Sequence, residues 1–372
     1  MIAANKDIRN AINNSEIVDC IQNPIYGSAP EELVTMFEKL PKDTFHDYFR
    51  VLSVPYLFHQ CETIFKSKDE PIGLFVEALN KLKQSTVITL ENKGIHEIFL
   101  GSIEHTDDEH FEEEVKNHTG QHYGNLFKEF NHTSYFEETK KLLETRLNRN
   151  GIVIPNIDQL TLLDQGCGGG RYTTAWKLLG VKKAVGLDVS EIGLDDAKYR
   201  ANIAGIDNIE FIKGSVLEMP FENESFDIVY SNGVLHHTED WQKGISEQLR
   251  VMKKGGFGWQ YLIENPGGIF WDKIEILRAI LKNVNKKFAQ NILRSIGIPM
   301  NRVFYMLDHV MVPINTRLTP EELINELEKN GAINIKRLTR GTDFDRVEAI
   351  YNSIPFAKEK FGVGENRFIF NK

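Results

Sequence analysis

One stretch constrains this chain more than any other: a short apolar run ending in an acid, followed by glycine at every second position, Leu162-Leu163-Asp164-Gln165-Gly166-Cys167-Gly168-Gly169-Gly170. The apolar run has the character of a buried parallel strand. Helical spacing follows through Tyr172, Ala175, Trp176 and Leu179. Glycines between a strand and a helix let backbone approach a ligand with no Cβ in the way. A dinucleotide fingerprint would need a third glycine where Arg171 stands, so the nicotinamide and flavin reading loses its close helix-to-strand packing.

What remains, Asp164-x-Gly166-x-Gly168-x-Gly170, resembles motif I of the class I S-adenosylmethionine-dependent methyltransferases of small-molecule type. Further stretches follow in that family's order. Ala184-Val185-Gly186-Leu187-Asp188 is a second apolar strand ending in an acid, with Ser190 placed to cap the next helix. Residues 209–216 supply a third strand. Met219-Pro220-Phe221, the strand from Ser225 to Asn232, Val234-Leu235-His236-His237 and the turn at Lys254-Gly255-Gly256 complete the set.

The resemblance implies a doubly wound, seven-stranded Rossmann-like α/β sheet and S-adenosyl-L-methionine as cofactor. It also implies roles for particular residues. Asp164 and the amides around Gly166, Gly168 and Gly170 would hold the methionyl part, Asp188 the ribose hydroxyls, and Ser215 or the Val216 amide the adenine, with Asn232 a further cofactor-binding residue. Ser215 stands where many relatives carry an acid, so the adenine contact departs from the family's pattern.

Composition bounds the rest. A chain of 372 residues exceeds one such core and fits about two domains. A net charge of −9 with no evident basic face, and Ser231-Asn232-Gly233-Val234 in place of an Asn-Pro-Pro-Tyr type tetrapeptide, argue against nucleic acid and for a small-molecule acceptor. The chain has no apolar run of the roughly 18 residues a membrane span requires, and its start does not read as a signal peptide. Cys20, Cys61 and Cys167 are too scattered for a disulfide framework or a zinc site, so a reducing cytoplasm is the expected compartment and no metal is expected.

Residues 1–110 read as a helical accessory domain and 111–372 as the methyltransferase domain, with an insertion over about 269–318. Stripes at Ile8 to Ile21, Leu33 to Leu40, Phe45 to Leu52 and Leu74 to Leu82 are separated by Pro24, Pro41, Pro55 and Pro71. Residues 87–90 and 95–100 suggest a hairpin. His105 and His110 among acids could hold a metal, but a solvated linker explains them more simply. Tyr123 or Phe127, ahead of the core, could fold over the cofactor as in related enzymes. Ser134-x-x-Glu137 and Thr319-Pro320-Glu321-Glu322 read as capping boxes.

The insertion reads as a long amphipathic helix or a broken pair over 269–295, then an irregular apolar segment over 304–313. Lys273, Arg278, Lys282, Lys286, Lys287 and Arg294 form a basic stripe, read first as a solvated face. The insertion could cover the acceptor or form a homodimer interface. Methyl transfer is an in-line displacement, so positioning supplies most of the catalysis, and a base is needed only if the acceptor must lose a proton. His237, Glu264 and His309, with His236, Asp308 and Asn265 beside them, are the candidates for that role. Oxygen is the favoured acceptor atom. A nucleic acid or protein methyltransferase and a non-catalytic binding subunit are the competing readings.

Overall fold

The structure, a computed structural model, describes residues 20–92, 94–101 and 131–372. The stripe over residues 8–19, the acidic stretch with His105 and His110, and Tyr123 and Phe127 lie outside the described residues. The chain divides into two compact units. One, drawn from Met1–Glu109, Gly267–Thr316 and Ser353–Gly362, is helical; the other, from His110–Pro266, Arg317–Asn352 and Val363–Lys372, carries the sheet.

In the helical unit, α1 (Ala29–Lys39) buries Leu33, Val34 and Phe37. α2 (Thr44–Lys66) starts at Asp43, whose carboxylate accepts the His46 amide at 2.9 Å. It continues straight through Pro55, which the sequence reading treats as a boundary. Burial of Val51, Val54, Leu57, Phe58 and Cys61 along α2 outweighs the missing backbone bond. α3 (Pro71–Glu91) and α4 (Gly94–Gly101) replace the expected hairpin. Thr86 and Thr89 bond back to the carbonyls of Leu82 and Ser85, so the β-branched run extends the helix instead of leaving it.

The sheet unit opens with a π turn, Thr133–Glu137, leading into α5 (Glu138–Arg149). The expected capping box at Ser134 does not form. Ser134 lies inside the turn, and the Asn131 side chain accepts its amide at 2.9 Å. Then come β1 (Thr161–Gln165), α6 (Arg171–Leu178), β2 (Lys183–Asp188), α7 (Glu191–Ile203), β3 (Ile209–Lys213), β4 (Phe226–Asn232), α8 (Trp241–Val251) and β5 (Met252–Leu262).

The insertion returns to the helical unit as α9 (Gly268–Ile280), α10 (Lys286–Ser295) and α11 (Met300–Leu307). It is therefore a broken set of helices, and the segment expected to be irregular begins as helix. The basic stripe is broken too. Lys273 is buried, with its ammonium 4.5 Å from the centres of the Phe58 and Phe270 rings. Arg278 is buried against Glu275 and the carbonyls of His309 and Val312. Lys282, Lys287 and Arg294 are exposed. The chain closes with α12 (Pro320–Lys329), β6 (Ile333–Arg337), α13 (Arg346–Tyr351), α14 (Ala357–Phe361) and β7 (Asn366–Asn371). The capping box at Thr319 and Glu322 is present.

The sheet order is β3-β2-β1-β4-β5-β7-β6, with the first five strands parallel and β7 antiparallel to both neighbours. Leu163, Val185 and Val229 face α8 and α12, whereas Leu162, Ala184, Ile228 and Trp259 face α5 and α6. Strand order reverses between β1 and β4, and in open α/β sheets ligands bind at that reversal, beyond the carboxyl ends of the strands.

A buried ionic network braces the far side of the sheet unit. Arg146 on α5 donates to both oxygens of Asp345, each at 2.9 Å, and Arg367 on β7 adds a third bond at 3.1 Å. Burial works against ionisation of Asp345, but Arg367 and Arg146 outweigh it and hold the carboxyl below the ordinary range. The Asp345→Ala variant, which leaves the buried Arg146 guanidinium without a counter-ion and Arg367 with Glu365 alone, is expected to lose about 3–5 kcal/mol in denaturant unfolding. Because the folded-state value lies below the unfolded one, the wild-type contribution is complete above a pH of about 4 and disappears as pH falls through the acid range. A variant as stable as wild type at neutral pH would contradict this.

Candidate functional site

Every backbone turn of the glycine loop has a physical cause. Gly166, Gly168 and Gly170 have φ of 80°, 54° and 73°, the left-handed region where side chains are strained. A Cβ on Gly166 would lie 2.3 Å from Val234, and one on Gly170 2.6 Å from the Phe211 ring. The amides of Gly166 and Cys167 both donate to Leu187 O, at 2.8 and 3.0 Å, and Gly170 donates to Cys167 O. The loop is thus drawn tightly over the end of β2.

Two acids meet at this point. Asp188 accepts the Gly168 amide on one oxygen and the Ser190 amide on the other, both at 2.8 Å. Ser190 also caps α7 by accepting from Gly193. Asp164 is buried, and Thr173 donates to it at 2.6 Å. Burial pushes the Asp164 carboxyl up to about 7; the Thr173 bond works in the opposite sense, and the negative Asp188 adds to the rise. Asp188 is also raised by burial, against three backbone bonds that lower it. Among the described residues no lysine or arginine pairs with either acid.

These residues suit a ligand with a cationic end and a diol. An acid left buried without a counter-ion favours an ammonium or sulfonium, and glycines let loop backbone come close to a ligand. Val189, next to Asp188, is an exposed apolar side chain that offers a face to a flat base. Ser215 lies in a tight turn, where its hydroxyl oxygen accepts the Leu217 amide at 3.1 Å. Val216 is buried, with its carbonyl accepting from Gln165 at 3.3 Å. Asn232, at the end of β4, accepts from the Trp259 indole at 3.3 Å and lies level with Tyr261 on β5.

Residues 163–259 match the family described as methyltransferase domain. Over those residues the chain carries a methyltransferase domain. It is similar to the demethylmenaquinone methyltransferase of Lactococcus lactis, 38% identical over 26% of this chain and 39% of that protein. It is also similar to the 27-O-demethylrifamycin SV methyltransferase of Amycolatopsis mediterranei, 30% identical over 43% of this chain and 61% of that one. A third relative, the sterol 24-C-methyltransferase of Pneumocystis carinii, is 36% identical over 26% of each chain. The chain spans less than two thirds of the length of each of these relatives.

In the methyltransferase domain, the strand ends bring Asp164, Asp188, the glycine loop and Asn232 to one edge of the sheet. His236 and His237 form a short turn after β4, with ring centres 4.2 Å apart; His236 is buried and His237 half-buried. Glu264 lies just after β5 but is fully buried, and Arg346 directs Nε and Nη2 at its Oε1, at 2.9 and 2.7 Å. In this structure its carboxylate serves as the arginine's counter-ion. His309 belongs to the helical unit, where its ring meets Trp271 edge-on at 4.8 Å and lies 3.9 Å from Asp308. Among the described residues no cluster of three or more His, Cys, Asp or Glu could hold a metal ion, and no helix is long and apolar enough to cross a membrane.

Sequence reasoning missed Thr173 and Arg346. Thr173 carries a local signal, a hydroxyl in the first turn of the helix after the loop, whereas Arg346 is 82 residues from its partner and has none. The elevated Asp164 gives a test. S-adenosylhomocysteine, whose ammonium favours the ionised acid, should bind with constant affinity above pH about 7 and weaken by up to about tenfold per unit below it. Asp164→Asn should flatten that profile. Calorimetric titration across this range checks it, and a flat wild-type profile would remove Asp164 from contact with the ligand's charge.

Proposed function

We propose that this chain transfers a methyl group from S-adenosyl-L-methionine to a small-molecule acceptor, with oxygen as the favoured acceptor atom. The observation that carries the reading is a pair of acids without cationic partners among the described residues, buried Asp164 and half-buried Asp188, on either side of a loop with no room for a side chain at Gly166 or Gly170. Relatives named for demethylmenaquinone, a rifamycin and a sterol support a small molecule over a nucleic acid.

The bound cofactor would supply an electrophilic methyl on a sulfonium. The chain's own residues hold and orient. Asp188 would accept the ribose hydroxyls while keeping the Gly168 amide in place, and Asp164 would pair with the ammonium. Asn232 and His237, at the carboxyl end of β4, are proposed to face the acceptor, with His237 taking a proton where an alcohol or phenol must lose one. Glu264 is proposed to act through Arg346 and not as that base. The proposed compartment is the cytoplasm, and a homodimer is one assembly to test.

The first test is direct binding. S-adenosylhomocysteine should bind and NAD should not, and Asp188→Ala should weaken binding with the fold retained. Losing a hydrogen bond to a charged acceptor costs about 1.5–3 kcal/mol, so a tenfold to hundredfold loss is expected in calorimetry. NAD binding, or unchanged affinity in the folded variant, would overturn the reading.

The insertion supplies a second test. The residues that flank it pair with each other, since Leu318 donates to Ile263 O at 2.9 Å and Asn265 donates to Leu318 O at 2.8 Å. We propose that this segment, with Asp308 and His309, recognises the acceptor. His309→Ala should then lower methyl transfer to a panel of phenols and quinols while leaving S-adenosylhomocysteine affinity unchanged. Normal transfer together with a shift to monomer by light scattering would make the segment a dimer interface instead.

A further inference from the structure

The glycine loop is also held from a part of the chain outside the family's motif. The turn Thr133–Glu137 is π-helical, with Glu138 N donating to Thr133 O in place of Ser134 O. That frees Ser134 O, which accepts from Arg171 Nη2 at 3.0 Å and from Thr139 Oγ1 at 3.1 Å, while Arg171 Nε donates to Thr139 Oγ1 at 3.1 Å. Arg171 is the first residue of α6, directly after the loop. It occupies the position of the absent third glycine, and its side chain is used to bind the π turn. Such turns are rare in helices and often mark functional sites.

The same turn places Tyr135 against the loop itself. Tyr135 is fully buried, and its hydroxyl donates to Gly169 O at 2.6 Å. Its ring lies beneath the Arg200 guanidinium, 4.8 Å from the ring centre, and packs edge-on against Phe136 at 4.6 Å. The loop's peptides are then fixed one by one. The Gly168 amide goes to Asp188, the Gly170 amide to Cys167 O, and the Gly169 carbonyl to Tyr135. Among the described residues the Gly169 amide alone of these donates to no protein group.

We propose that Tyr135 is a positioning residue for the cofactor: its hydroxyl locks the peptide between Gly169 and Gly170, and with the Cys167–Gly168 peptide held by Asp188 the intervening peptide presents the Gly169 amide to the carboxylate of the bound ligand. This rests on the cofactor reading above. The sequence places Tyr135 29 residues before Asp164, outside the matched domain that begins at 163, so the loop's affinity depends on a segment beyond the motif.

Calorimetric titration of S-adenosylhomocysteine into wild type and Tyr135→Phe tests it. The Phe variant keeps the ring under Arg200 and removes only the hydroxyl, so affinity should fall about tenfold with the thermal midpoint little changed. Amide exchange over residues 168–171 should quicken in the free variant, a readout that general loosening would spread across the whole unit. Arg171→Met, which cuts the bonds to Ser134 and Thr139 from the loop side, should weaken binding in the same direction and serves if the Phe variant does not fold. Wild-type affinity in either folded variant, or exchange over 168–171 unchanged in Tyr135→Phe, overturns the proposal alone. Failure of wild type to bind S-adenosylhomocysteine overturns the cofactor reading and this proposal with it.

Discussion

The turn from β1 into α6 has no room for a side chain at Gly166 or Gly170, and the arrangement of the sheet unit follows from that. Val234 closes on it from the end of β4, Phe211 from β3 and Ala197 from α7. Even the first turn of α7 must give way, since a Cβ on Gly193 would lie 2.8 Å from Gly168 O. Three strands and two helices can converge this closely only because the backbone at 166, 168 and 170 adopts left-handed angles at little cost. The parallel register of β1 and β2 then brings Asp164 and Asp188 to the same edge, one on each side of the loop.

Buried charge is treated in two ways in this unit, and the contrast separates structure from function. On the side of β5 and β7, Arg146, Asp345, Arg367, Glu365, Arg346 and Glu264 alternate in sign, each within salt-bridge distance of the next. Their desolvation is offset by pairing, so this network joins α5, β7 and the end of β5 without demanding a ligand. Among the described residues, Asp164 and Asp188 have only hydroxyl and amide donors. A neutral donor offsets less of the cost of burying a carboxylate than a cation does, which is why burial leaves both acids raised and favours a positively charged guest.

The helical unit obeys the same electrostatics with different partners. α9 is buried along nearly its whole length although it carries Asp272, Lys273, Glu275 and Arg278. Tyr26 donates to Asp272 at 2.7 Å, aromatic rings surround Lys273, and Glu275 pairs with Arg278. A helix of mixed composition can therefore be a core helix when each charge finds a partner. A reading by periodicity assigns such residues to solvent.

The sequence alone determined the sheet and the loop. Alternation of apolar strand, glycine turn and helix is local information, and so are the caps at Ser190 and Thr319; each was legible because the residues that interact lie within a few positions of one another. Sequence could not separate a hairpin from a helix over 87–100, nor see that Pro55 would stay inside α2, because those outcomes depend on packing that compensates a poor local preference. Nor could it assign Glu264 to Arg346, bury Lys273 among rings, or bring Tyr135 to Gly169 across 34 residues. These contacts were decided by tertiary structure alone: a side chain's partner is whichever group the fold places within about 3 Å of it, and for distant residues no spacing in the chain encodes that meeting.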